Sequence, residues 1–174
     1  MYSKVSDLNT TFFLHSLKNN SMNTENSIDV LNTLIEINND RIEGYETASK
    51  ETEEADLKSL FSQFMRTSQK CKTELVNEVH RLGGSPIEGT TTSGKLYRVW
   101  MDIKSALTGK DRKAILNSCE YGEDVAVDTY QKALSNHPED LSAEQQAMVK
   151  MQHAWIKSDH DKIKSMRDVL AEQD

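Results

Sequence analysis

Apolar residues recur along this chain at the spacing of helix faces, in long blocks separated by short polar breaks. Positions three and four apart share one side of an α-helix, so such a stripe marks the side turned toward a core. The first block predicts a helix from Thr24 to Thr52, with Ile28, Leu31, Leu34, Ile35, Ile42, Tyr45 and Ser49 on one face. Asn38 falls near the middle of that face, whereas Asp40 and Glu43 are expected to project away from it. The second block predicts a helix from Asp56 to Leu82, facing inward with Leu57, Leu60, Phe61, Phe64, Ser68, Cys71, Leu75, Val79 and Leu82. The link Glu53 to Asp56 is short and charged, and short links join antiparallel neighbours. Gly83-Gly84-Ser85-Pro86 stops the second helix, with glycine available for the left-handed position beyond the cap.

A long connection follows. Its first part, Glu88 to Gly94, reads as loop, and its second, Lys95 to Leu107, carries Leu96, Val99, Trp100, Ile103 and Leu107 at helical spacing. A helix of this size is about 20 Å long at 1.5 Å per residue. It can carry the chain the length of a bundle, so the next long helix runs parallel to the second. That helix is predicted from Asp111 to Ser135, with Leu116, Cys119, Ala126, Val127, Tyr130, Ala133 and Leu134 as its stripe. Glu120 and Glu123 lie on the same stripe and are expected to point inward, where a carboxylate needs a partner. After the turn Asn136 to Asp140, Ser142 and Gln145 have the spacing of a capping box. The last helix then runs to about Ala171, with Met148, Met151, Trp155, Asp159, Ile163, Met166 and Leu170 expected to face in.

Composition sharpens this picture without changing it. The chain of 174 residues suits one domain with a sizeable core, and 2 Pro and 7 Gly leave room for long helices. Residues 1–24 are rich in Asn, Ser and Thr and read as a loosely attached extension, and 25–174 as the helical domain. A net charge of −7 disfavours nucleic acid and anionic membranes as partners. The longest apolar run near the start, Phe12-Phe13-Leu14, is too short for a signal segment. Two cysteines, Cys71 and Cys119, make no disulfide framework, so a reducing, cytoplasmic location is expected.

Four long helices with one long crossover between the second and third make an all-α, ferritin-like arrangement. The sequence also resembles the bacterial four-helix-bundle proteins grouped as a ferritin-like domain of unknown function. The pieces that carry the resemblance are Leu31-Asn32-Thr33-Leu34-Ile35, Tyr45 with Ala48, and Leu82-Gly83-Gly84-Ser85-Pro86. They continue with Gly94-Lys95-Leu96-Tyr97-Arg98-Val99-Trp100, Gly122-Glu123-Asp124 with Tyr130, and His160-Asp161. The resemblance covers residues 25–172 and implies a fold, not a biochemical role.

Ferritin-like di-metal sites take one glutamate from each of two helices and a Glu-x-x-His pair from each of the others. This sequence departs from that recipe, offering Glu74-x-x-Asn77, Glu120-x-x-Glu123 and Gln152-x-x-Trp155. By height, Asn38, Ser68, Cys71, Glu120, Glu123, Gln152 and Asp159 form a polar layer at mid-bundle. One reading is a reduced iron or manganese site built from Glu120, Glu123 and Asp159. The other is a hydrogen-bonded network, with Tyr45 and Tyr130 donating to the acids, in a non-catalytic structural or stress-associated bundle. His153 and His160 read as partly exposed, the cysteines as buried apolar groups, the methionines as core filling and Gly122 as a point of close helix approach. An exposed helix face would make the chain a homo-oligomer.

Overall fold

The computed structural model of the protein describes residues 4–91, 95–136 and 138–172, of which 4–22, 95 and 96 are described by backbone alone. It is all-helical: 87% helix, in five helices, with no strand among the described residues. These are α1 (Lys4–Glu51), α2 (Ala55–Arg81), α3 (Lys95–Gly109), α4 (Arg112–Ser135) and α5 (Ala143–Ala171), with a 3-10 turn at Pro138–Asp140. The expected boundaries agree closely except at the start. There the backbone helix begins at Lys4 instead of Thr24, because no proline or glycine interrupts the first 40 residues. The reading of residues 1–24 as an extension falls mostly on side chains outside the described set.

Local chemistry sets the ends. Leu82 caps α2, and Gly83 beyond it has φ +80°. Gly84 N–H reaches Val79 C=O and Gly83 N–H reaches His80 C=O, each at 3.0 Å, which is the Schellman pattern. At α5 both halves of the Ser142–Gln145 capping box form.

The four long helices share one interior, filled by two apolar clusters. The first joins Tyr45 and Ala48 of α1, Leu57 and Phe61 of α2, Ile115 of α4 and Ile163 of α5. The second joins Leu31 and Leu34 of α1, Val79 of α2, Tyr130 of α4 and Val149 of α5. The start of α2 therefore lies beside the start of α4 and the end of α1. So α2 and α4 run one way and α1 and α5 the other, as the crossover requires. Trp100 of α3 packs against both clusters and pins the crossover helix to the rest. At Gly122, an added Cβ would come within 2.9 Å of Val99 Cγ1, so the close neighbour expected there is α3.

Two expectations about facing are corrected. Asp40 is 2% exposed, because the connection folds over it. Its carboxylate takes hydrogen bonds from Thr91 N–H (2.8 Å) and Thr91 Oγ1 (2.7 Å), while Asn39 donates to Gly89 C=O (2.8 Å). The inward stripe of α5 is Gln145, Val149, Gln152, Ile156, Asp159 and Ile163, one position on from the expected methionine stripe in its first half. Met151 is 48% exposed. Two buried glutamines hid the true stripe, since an apolarity count passes over them in favour of the adjacent methionines.

Gly44 faces Trp100 so closely that an added Cβ would sit 2.3 Å from three indole carbons. Gly44→Ala gains up to about 1 kcal/mol of helix propensity. Displacing a packed indole costs about 1–3 kcal/mol, so the clash wins. The variant is expected to melt at lower temperature with altered Trp100 emission; an unchanged or higher Tm would show that the indole yields freely.

Candidate functional site

The two apolar clusters are separated by a polar layer, and its centre is Arg41. This side chain is 1% exposed, on the inward stripe of α1 between Asn38 and Tyr45. A buried guanidinium demands acceptors in its own plane. Glu123 of α4 supplies two: Nε to Oε1 at 3.0 Å and Nη2 to Oε2 at 2.9 Å. Asp159 of α5 accepts from Nη2 at 3.2 Å, and Ser68 of α2 accepts from Nη1 at 2.5 Å. The rings of Tyr45 and Phe64 lie 5.7 and 5.9 Å from the guanidinium carbon, within cation–π range.

The shell around this ion pair is also bonded. Tyr45 O–H donates to Glu123 Oε1 at 2.5 Å, and Gln63 Nε2 donates to Asp159 Oδ1 at 3.3 Å. One turn away a second chain runs across the interior. Asn38 Nδ2 donates to the Tyr130 hydroxyl (2.8 Å), which donates to Gln152 Oε1 (3.0 Å), and Gln152 Nε2 donates to Glu74 Oε2 (2.9 Å). All four long helices thus contribute to the layer.

Burial and charge act oppositely on the titrating groups. Burial pushes the Glu123 carboxyl up, against the pull of Arg41 and the Tyr45 hydroxyl. Glu123, Tyr45 and Asp159 together outweigh burial for Arg41 and raise it further, so its charge is permanent. Tyr45 and Tyr130 are raised by burial and act as neutral hydroxyls. Cys71 is pushed up to about 11 by burial, and Cys119 higher still by burial and then by Glu123.

The three acids read as a metal set do not converge. Glu123 and Asp159 meet, on Arg41. Glu120 lies 9% exposed and pairs with Arg167. A cation sharing Glu123 and Asp159 would stand beside a guanidinium bound to the same oxygens, and like charges at that range repel strongly. Among the described residues no group of three or more His, Cys, Asp and Glu side chains is placed to hold a metal ion. In this arrangement the three acids expected to form a reduced metal site are occupied, Glu123 and Asp159 by Arg41 and Glu120 by Arg167. His160 is held by Asp124 and Asp161, each at 2.9 Å, whereas His153 Nε2 is buried without a partner among the described residues.

The polar layer was legible except for its key. Asn38, Ser68, Glu123, Gln152 and Asp159 are all buried in it, and Tyr45 donates to an acid as expected. Tyr130 donates instead to an amide. Arg41 was missed, although its place three after Asn38 and four before Tyr45 puts it on the apolar stripe. Two inward acids also call for one inward cation.

Fold and layer together define an all-helical protein organised on a buried arginine–carboxylate cluster. The chain belongs to the family described as Domain of unknown function (DUF2383), whose pattern it matches over residues 26–136. That stretch contains Arg41, Tyr45, Ser68 and Glu123, while Gln152 and Asp159 lie beyond it. No curated protein matches the chain.

Removing one partner of a buried ion pair costs far more than the pair is worth, because the other charge is left in low dielectric. Arg41→Met is expected to lose about 3–5 kcal/mol in denaturant unfolding. Glu123→Gln should lose less, about 1–3 kcal/mol, because its amide oxygen still accepts and Asp159 still balances the charge. Equal losses would show that Arg41 is not the hub. Both thiols are 0% exposed and unpaired with each other. A thiol reagent should find neither in the native protein and both in guanidinium; rapid native labelling would contradict the burial.

Proposed function

We propose that this protein is a ferritin-like four-helix bundle in which Arg41 takes the central position a metal would otherwise occupy. In this reading the bundle is a non-catalytic structural or stress-associated protein of the bacterial cytoplasm. The carrying observation is the bidentate Arg41–Glu123 pair shared with Asp159. A fixed guanidinium supplies positive charge to converging carboxylates, as a cation does, but offers no open coordination position and no redox chemistry. The direction of the helices and the single long crossover support the fold part of the reading. Two buried free thiols and the acidic net charge support a reducing, soluble setting. Association with further copies through an exposed helix face is part of this reading.

The runner-up is an iron or manganese site using Glu120, Glu123 and Asp159. It requires Arg41 to leave Glu123 and Arg167 to leave Glu120. Anaerobic calorimetric titration with Fe(II), Mn(II) and Zn(II), paired with elemental analysis of untagged protein, separates the readings. The structural reading expects no saturable heat and no co-purified metal. Stoichiometric binding that disappears in Glu123→Gln would overturn it.

A further inference from the structure

A cavity of 340 Å³ lies between α1 and α3, lined in part by Thr90 and Thr91. Its size falls at the lower end of the range for small-molecule sites. Two aromatic side chains line it, Trp100 and Tyr97, with Met101, Ile103 and Leu107 adding apolar wall. Tyr97 is 46% exposed and Met101 49%, a large apolar exposure for neighbours on a short helix. Trp100 packs edge-on against Tyr45, ring centroids 5.1 Å apart, so this part of the wall rests on the core.

The charge of the cavity is lopsided. Asp40, Glu43 and Glu51 line it, against a single cation, Lys104, among the described residues. Glu43 and Glu51 are paired with no cation among the described residues, and both are exposed. Asp40 lies deeper and feels the like charges of Glu36 and Glu43. Aromatic surface beside uncompensated carboxylates is the chemistry that recognises an organic cation, through ring quadrupole and ion pairing together. An anion would meet the acids, and a neutral apolar molecule would leave them unused.

We propose that the Trp100–Tyr97 cavity is a binding site for a small amphipathic monocation, an aryl- or alkylammonium whose apolar body lies on the aromatic wall and whose ammonium faces Glu43, the acid beside the Gly44 seat of Trp100. This proposal does not rest on the reading of the Arg41 layer, although its Trp100 wall packs on Tyr45 of that layer.

The test uses three probes of one shape: 2-phenylethylammonium, 2-phenylethanol and phenylacetate. Each is titrated against Trp100 fluorescence in the full chain carrying Trp155→Phe, with Tm as a second readout on the unmodified chain. The ammonium is expected to bind saturably, about tenfold more tightly than the alcohol, with phenylacetate weakest. Glu43→Gln should weaken the ammonium about fivefold and leave the alcohol unchanged, whereas Glu51→Gln, two turns along α1, should have the smaller effect. Glu144→Gln, a remote surface change, should alter neither. Equal affinity for all three probes would reduce the cavity to an unselective apolar cleft and overturn the proposal. So would absence of saturation by the ammonium up to about 10 mM, beyond the range of a weak specific site.

Discussion

A buried guanidinium is the constraint to which the rest of this structure answers. Taking one cation and two carboxylates out of water carries a desolvation cost of several kcal/mol per ion. That cost is offset only where geometry is good and the remaining donors and acceptors are met. Arg41 meets it with partners from α2, α4 and α5, while Tyr45 and Gln63 complete the carboxylates. Sliding any long helix by one turn, about 5.4 Å, would break the set and strand a charge. The layer thus selects one register among several that the apolar stripes alone would tolerate, a use well attested for buried polar groups. The apolar clusters on either side supply most of the stabilisation, and the layer supplies the alignment.

The polar and thiol groups of the interior are occupied in the same arrangement. The acids that might otherwise titrate or coordinate are occupied, the phenols are held as neutral donors, and both thiols are buried with raised pKa. At the edge, by contrast, the crossover helix leaves acids and aromatics uncovered. Interior and edge meet at Trp100, which touches both clusters and lines the outer cavity. The close seat at Gly44 is what lets the indole lie there.

The helices were legible because their apolar stripes are long and their ends carry strong local signals, such as Gly83 and the Ser142–Gln145 box. The inward acids were legible for the same periodic reason. Three things were hidden, each with a physical cause. Arg41 was hidden because an arginine counts as surface in any apolarity pattern, although its neighbours on the wheel are Asn38 and Tyr45. The face of α5 was hidden because Gln145 and Gln152 are buried by hydrogen bonding, which a hydropathy pattern cannot register. The burial of Asp40 depends on a loop some 50 residues away in sequence, so nothing local announces it. The interior acids could have been turned into a search for their counter-ion, and that search has one answer on the stripe of α1.

The most direct measurement is hydrogen exchange at the Arg41 Nε–H, followed by 15N NMR at neutral pH. Exposed arginine Nε–H groups exchange rapidly, whereas one locked to a buried carboxylate exchanges only when the structure opens. The account expects a resolved Arg41 resonance, shifted by Glu123 and protected to the level of the slowest core amides. An Arg41 signal that exchanges as fast as those of surface arginines would mean the guanidinium lies in water, and the organising layer would not exist.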